Sequence, residues 1–507
     1  MTLVRATVQG NGSLVDLGAA RNSIYSANTY WRTMSDNRLS MSIASERVHY
    51  STSAHALDDY ATMMNKIAKE LRWVDNPYTA LVVFVPTADL RSGGYGGILG
   101  GGWTVGGTAG RILMPAPSSF TNNVVTHEVG HVLGLLHANS LQCSNGRADV
   151  GTGANGRWTD GACSSREYGD TTDLMGSAQY NQPVINSYFW DAGSFGRGNE
   201  ITDAGRAGTP RTFTLRPWGG TAANRAVKFT DPQSGEVYYI ELRQPAGYDQ
   251  HLQWGPSGNR GIKIVKADKA NSWAVNSLII PPSTRPFAGY YNSNHTWQAG
   301  QTFTTYTGTT VKINSVTASS ASVTLSSWVE AAVAPIAAVR AAYPELGSAS
   351  SAVTVISSPR GAYRNFERGA VLWSQSTGAK ASPNGPIRDA YRSAGFEAGT
   401  LGYPTSDEVT IPGGKYQNYQ GGAILWSKTT GAQISPTGPI RTAYQKQGFE
   451  NGPLGFPTSG EVTIPGGKYQ NYQGGAILWS KTTGAQISPT GPIRTAYQKQ
   501  GFENGPL

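Results

Sequence analysis

Charged residues make up only 14% of this 507-residue chain, cysteine occurs twice and histidine seven times. No apolar run approaches the roughly 20 residues needed to cross a bilayer. Ala80–Val85 is too short, and the Ala/Val stretch from Ala331 to Ala342 is interrupted by Pro335 and Arg340. No transmembrane segment is expected. The net charge is +9, yet no block dense in Lys and Arg with interleaved aromatics appears, which speaks against nucleic acid as a partner. The positive excess is spread thinly over residues 201–507, as solvated side chains that could add long-range attraction to an anionic polymer. The N-terminus, MTLVRATVQGNGSLVDLG, has no apolar core of signal-peptide length.

What is abundant is glycine (63 residues), with 13 Trp and 25 Tyr, a mixture suited to a secreted, loop-rich or β-rich protein. The length implies two to four domains. Cys143 and Cys163 enclose a polar, glycine-rich loop. They read as one loop-stapling disulfide in an oxidising compartment, or as two unrelated thiols. The disulfide implies export, so either a signal and any pro-segment are expected upstream of this sequence or its start is misassigned.

Residues 1–200 alternate strand and helix signals. Leu39–Ala44 (LSMSIA) reads as a strand, and Leu57, Tyr60, Met64, Ile67 and Leu71 recur at helical spacing. Ala80–Pro86 reads as an interior strand. The glycine-rich stretch after it lacks the Gly-Lys-Ser/Thr of a phosphate loop and reads as strands and a loop. Ser, Thr and Asn in APSSFTNN then offer caps for a helix over Thr121–Leu133. From about Thr202 to Ser327, short alternating runs such as RTFTLRPW, EVYYIELRQP and ASVTLSSW predict an all-β, sandwich-like domain over 201–328. An Ala-rich helical linker follows over 329–345.

The remainder repeats. The segment Glu408–Pro453 recurs residue for residue at Glu461–Pro506, and a diverged copy starts at Gly361. Each unit reads as a strand pair and a short helix that stack on their neighbours. The words LGYPTS (Leu401–Ser406) and LGFPTS (Leu454–Ser459) resemble the LGFP repeats of actinobacterial envelope proteins. That resemblance implies an α/β repeat array over 346–507 that holds the protein to a cell-wall polymer. A spacer without a ligand is the alternative. The array is expected to be unfinished, Leu507 being the first residue of a further unit.

Three of the seven histidines fall in HEVGHVLGLLH, residues 127 to 137. On a helix, His127 and His131 share one face a turn apart, which suits two imidazoles on one Zn²⁺. Glu128 sits beside the metal, placed to take a proton from water. Gly134 lets the helix end so that His137 can return as a third ligand. This His-Glu-x-x-His-x-x-Gly-x-x-His pattern is similar to the zinc signature of the metzincin peptidases. YGDTTDLMGS (Tyr168–Ser177) supplies Met175 where that clan has a methionine turn, and with YYIELRQPAGYD (Tyr238–Asp249) it looks most like the gametolysin-related members.

The resemblance implies an α+β zincin fold over 1–200 and an endopeptidase with one catalytic zinc held by His127, His131 and His137. Glu128 would be its general base, and Gly134 and Met175 its structural support. The protein would be secreted or cell-wall associated, with a protein or peptide as substrate. Ser177 occupies the place where some metzincins carry a tyrosine, and Tyr180 is a weak substitute. Substrate is expected along an edge strand around Trp103–Gly107. His49, His55, His251 and His295 lie in unrelated contexts. Asp149, Asp160, Asp170 and Asp173 lack EF-hand spacing and read as turn and capping residues, leaving calcium undecided. The competing reading is a non-catalytic wall-binding protein with a structural zinc site.

Overall fold

The structure, a computed structural model, describes residues 1–271, 275–289 and 291–502. Leu507, the expected start of a further repeat, lies outside the described residues. The chain divides into two units, Met1–Ser327 and Trp328–Leu507.

The first unit opens with β1 (Thr2–Gln9), α1 (Leu17–Met34), β2 (Ser45–His55), α2 (Tyr60–Glu70) and β3 (Ala80–Phe84). A hairpin of β4 (Leu90–Ser92) and β5 (Tyr95–Ile98) follows, then β6 (Gly101–Val105), β7 (Ala109–Met114) and α3 (Thr121–Val132). The five-stranded sheet runs β2-β1-β3-β7-β6, parallel except for β6 at the edge. Successive strand residues point to opposite faces. Leu3, Val82, Phe84 and Ile112 therefore meet α1 and α3 on one side. Val4, Ala6, Leu81 and Val83 meet α2 on the other. Asp16 and Asp59 start the first two helices by accepting from the amides of Ala19 (2.6 Å) and Thr62 (2.9 Å). The expected strand at Leu39–Ala44 is not a ladder. Leu39, Met41 and Ile43 do turn toward the core, but the Met41 amide donates to the Asn28 side chain instead of a neighbouring strand.

After α3 come β8 (Leu135–Cys143), β9 (Cys163–Arg166), α4 (Ser187–Ala192), β10 (Ile201–Arg206), β11 (Arg211–Leu215), β12 (Ala226–Thr230) and β13 (Val237–Arg243). Then follow β14 (Gly261–Ala267), β15 (Val275–Ile279), β16 (Thr302–Thr304), β17 (Thr309–Val316) and β18 (Ala321–Ser327). A seven-stranded sheet runs β10-β12-β13-β14-β15-β8-β9, and a four-stranded sheet runs β11-β18-β17-β16. Their apolar faces share one core, including Phe229, Tyr238, Ile264, Phe303, Val311 and Leu325. This is sandwich-like, as the alternation implies, but it is not a separate domain over 201–328. β8 and β9 belong to its larger sheet, so the boundary expected at residue 200 runs through the sheet. Alternation reveals a strand, whereas a parallel partner such as β15 for β8 leaves no local trace.

The second unit starts with α5 (Trp328–Ala342), which is no free linker. Its Ala332 and Ile336 share a core with Val371 and Trp373 of the first repeat. Each repeat has four antiparallel strands and a helix. They are β19–β22 (Thr354–Ser357, Arg360–Phe366, Gly369–Ser374, Gly378–Pro383) with α6 (Pro386–Ser393) in the first repeat. The second has β23–β26 (Val409–Ile411, Gly414–Tyr419, Gly422–Ser427, Gly431–Pro436) with α7 (Pro439–Lys446). The third has β27–β30 (Val462–Ile464, Gly467–Tyr472, Gly475–Ser480, Gly484–Pro489) with α8 (Pro492–Lys499). The sequence reading of a strand pair missed the first and last strand of each sheet. The cores lie between units. Ala423, Leu425, Ile440 and Tyr444 of the second repeat enclose Leu454 and Phe456 of the third. Leu454→Ala is expected to cost the array about 2–5 kcal/mol in chemical denaturation, and a loss below 1 kcal/mol would contradict this interleaved packing.

Candidate metal centre and cleft

The segment that carries the site begins with a side-chain bond, the Ser118 amide donating to Thr121 Oγ1 (2.7 Å). Phe120 stands at the cap position and makes no cap bond of its own, so the Ser/Thr/Asn cap expected there is replaced by this contact. Within α3, His127 and Glu128 are buried, and His131 follows one turn after His127. Gly134, with φ +90°, ends the helix and turns the chain into β8. Opposite Asn276, β8 carries one more residue than β15, a bulge at Leu136 and His137. The His137 amide leaves the ladder there and donates to Asn276 Oδ1 (2.9 Å). Bulges re-aim side chains in this way.

One ligand atom from each of His127, His131 and His137 can be chosen so that all lie within 4.8 Å of one another. The Nε2 atoms of His127 and His131 are 3.1 Å apart. Each Nδ1 meets an acceptor: the Leu174 carbonyl for His127 (2.9 Å), the Leu135 carbonyl for His131 (2.8 Å) and Glu167 Oε1 for His137 (2.6 Å). An imidazole that donates from Nδ1 presents a lone pair at Nε2. Burial lowers the pKa of His127 well below that of a free imidazole and that of His131 to about 4, so both are neutral donors at pH 7. Three imidazoles, each with an acceptor behind its Nδ1, fit a divalent ion of the zinc type that keeps an open position.

Glu167 was not singled out in the sequence. Its one signal is the general need of a ligating histidine for a carboxylate or carbonyl behind it, which does not select among the acidic residues. Tyr168 was also missed. Its ring lies 4.0 Å, centroid to centroid, from that of His137. Met175 is fully buried beneath the helix, where a Cβ on Gly130 would sit 2.5 Å from its sulfur. Its carbonyl accepts from the Ala138 amide (2.8 Å), tying the turn to the strand that bears His137. Tyr180 stands apart from the three histidines, 72% exposed and stacked on Phe120.

Two cavities flank Glu128. One, of about 860 Å³, is lined by Tyr60, Gly100–Gly102, His131, His137 and Trp158. The other, of about 470 Å³, is lined by Leu99, Val124, His127, Ser177, Ala178 and Tyr291. β6 is the sheet edge facing this site, and Gly102 within it and Gly100 just before it are required. A Cβ at Gly102 would lie 2.5 Å from the Glu128 carbonyl oxygen, and one at Gly100 would lie 2.8 Å from Glu128 Oε1. Burial pushes the Glu128 carboxyl up to about 8 against a single opposing hydrogen bond from the Gly102 backbone.

Cys143 and Cys163 form a disulfide between β8 and β9, closing the loop whose Trp158 lines the larger cavity. The four loop aspartates cap turns less uniformly than expected. Asp160 accepts from the Ala162 amide (2.9 Å) and Asp173 from the Met175 amide (2.8 Å). Asp170 accepts from the Thr172 amide (3.2 Å) and in addition pairs with the buried Lys263 (2.7 Å), while Asp149 pairs with the buried Lys266 (2.8 Å). The other histidines lie outside the cluster: His49 meets Glu70, His55 accepts from the Leu57 amide, His251 meets the Tyr248 carbonyl and His295 meets Thr171.

Comparison with known families finds LGFP repeats at residues 346–399, 401–452 and 454–505. The C-terminal part of the chain is therefore an LGFP repeat array, which points to a protein associated with the cell envelope. No curated protein matches the chain.

If the three histidines hold zinc, Glu167→Ala should weaken its binding by about 10–100-fold in a chelator competition. An unchanged affinity would remove Glu167 from the site. A pH dependence follows from Glu128. In the metal-free protein its folded pKa of about 8 lies above the ordinary 4.5. The stability it contributes is therefore full below pH 4.5 and is lost as pH rises through 8. The melting temperature of metal-free wild type relative to Glu128→Gln should fall between pH 5 and pH 8. A constant difference would contradict the burial of this carboxyl.

Proposed function

We propose that Met1–Ser327 is a zinc-dependent endopeptidase of the metzincin type, similar to the gametolysin-related group, and that the LGFP array holds it to the cell envelope. The observation that carries this reading is the meeting of His127, His131 and His137 beside a buried Glu128, with an acceptor on every Nδ1. The parallel sheet with one antiparallel edge strand above the helix also supports it.

A zinc ion, when bound by the three histidines, supplies Lewis-acid polarisation of a peptide carbonyl and of water. The chain's own residues do the rest. Glu128 accepts a proton from the attacking water and returns it to the leaving amine nitrogen, so the peptide bond is exchanged for a carboxyl and an amine with no net change in the protein. β6 offers its main-chain donors and acceptors to an extended substrate, and the absence of side chains at Gly100 and Gly102 lets that backbone approach Glu128. The cavities on either side of Glu128 take the side chains flanking the cleaved bond.

Glu128→Gln should keep wild-type zinc content and lose at least 100-fold of casein or peptide-library cleavage. Zinc-loaded wild type that cleaves no more than this variant on any substrate panel would leave the reading of a wall-binding protein with a structural metal. For the array, the full chain should be retained on purified cell wall and a chain ending at Ser327 should not. Equal retention would leave the repeats as a spacer.

A further inference from the structure

Beside the equally buried His295, six carboxyl, guanidinium and amine side chains under the methionine turn have no solvent exposure: Asp170, Asp173, Glu241, Arg243, Asp249 and Lys263. Three come from the turn side or from the segment after β13, and three from β13 and β14 themselves. Lys263 Nζ lies 2.7 Å from Asp170 Oδ2. Arg243 donates through Nη2 to the Thr172 carbonyl (2.6 Å) and to Asp249 (2.7 Å), and through Nη1 to Glu241 (3.0 Å). Asp173 accepts from the amides of Met175 (2.8 Å) and Asn186 (2.6 Å). Removing this many charges from water costs several kcal/mol per ion, and a well-packed apolar core of the same volume is often at least as stable. Such a cluster is therefore poorly explained by stability alone.

Its contacts converge on one short segment. Asp170 and Thr172 are the points that Lys263 and Arg243 grip, and Leu174, two residues on, presents the carbonyl that holds His127 Nδ1. Met175 then packs against Gly130 in the turn of helix between His127 and His131. Ligand imidazoles tolerate little misplacement, because the metal fixes both distance and direction.

We propose that Lys263 and Arg243 are positioning residues of the metal centre. They reach from β13 and β14 to the turn at Asp170–Thr172 and thereby set where the Leu174 carbonyl and Met175 hold the two helical ligands. The inference rests on the zinc reading and goes beyond it, assigning part of the metal's geometry to a region whose sequence reads as a separate β domain.

The test uses the full chain and zinc alone. Lys263→Met with Asp170→Asn removes the ion pair without leaving a lone buried charge, and Asp170→Asn alone weakens it with almost no change of shape. A matched control, Lys266→Met with Asp149→Asn and Glu236→Gln, neutralises the buried cluster on the opposite face of β14. The double variant should melt cooperatively and bind zinc at least about 10-fold more weakly than wild type. Asp170→Asn should fall between the two, and Lys263→Arg should restore most of the affinity. The visible absorption of cobalt-loaded protein should shift in the double variant and stay unchanged in the control, which loses only melting temperature. Wild-type zinc affinity in a folded double variant overturns the proposal, and so does failure of both Asp170 variants to fold, which would make the pair a determinant of folding alone. Absence of zinc binding by wild type would instead overturn the zinc reading itself.

Discussion

His137 reaches the other two histidines only because β8 is pinned between β15 and β9, and β15 lies more than a hundred residues later in the chain. The pairing is parallel and interrupted at one place, where Leu136 and His137 face the single residue Asn276. Had the ladder run without interruption, the His137 amide would be spent on a neighbouring strand. The bulge releases it to the Asn276 side chain and turns the imidazole toward α3. Everything else at the site assumes that placement: Glu167 behind the ring, Tyr168 against its face, and the Met175 carbonyl on the next amide of the strand. The three-histidine cluster is thus a product of the seven-stranded sheet as much as of the helix.

This divides what could be read in the sequence from what could not. The helical pair and the glycine that ends the helix obey local rules, because four-residue spacing and a left-handed glycine act within a few residues; the third histidine is named by the same motif, but β15 places it. The strands of the second sheet were legible for the same reason, since alternation is local. Glu167, Asn276, Lys263 and Arg243 were not, because each acts on a segment that only the tertiary fold brings near. An acidic residue behind a histidine looks the same in sequence as one on a solvated loop. The Leu39–Ala44 error has a related cause. Its alternation is real packing against the core, but alternation cannot reveal whether a strand is there to pair with.

The repeat array shows the opposite balance. Its unit was visible as identity between copies, yet the packing falls between units and so belongs to no single copy. Leu372 of the first repeat's sheet packs toward Leu401 and Tyr403 at the start of the second repeat, while Val371 packs back toward α5. Neighbouring residues on one strand therefore serve two different cores. That arrangement explains why the helix before the first repeat cannot be a passive linker. It supplies the apolar surface that a preceding repeat would otherwise provide.

Glu128 is the one residue on which the two halves of the functional argument meet. A side-chain cation beside it would hold the carboxylate permanently ionised and would make it a weak base. The structure instead counters burial with one backbone hydrogen bond from Gly102, and burial alone leaves the carboxyl protonated at neutral pH. A zinc ion held by the three histidines would act in the other direction, because a nearby dication favours the ionised form. Basicity would then depend on the ion's position, which the three imidazoles fix, and on the dryness of the pocket, which the glycines of β6 allow by letting the edge strand close over the helix. A larger residue at Gly102 would separate strand from helix and wet the carboxyl. The composition of the glycine-rich stretch therefore follows from the need to bring a bare backbone against a buried acid.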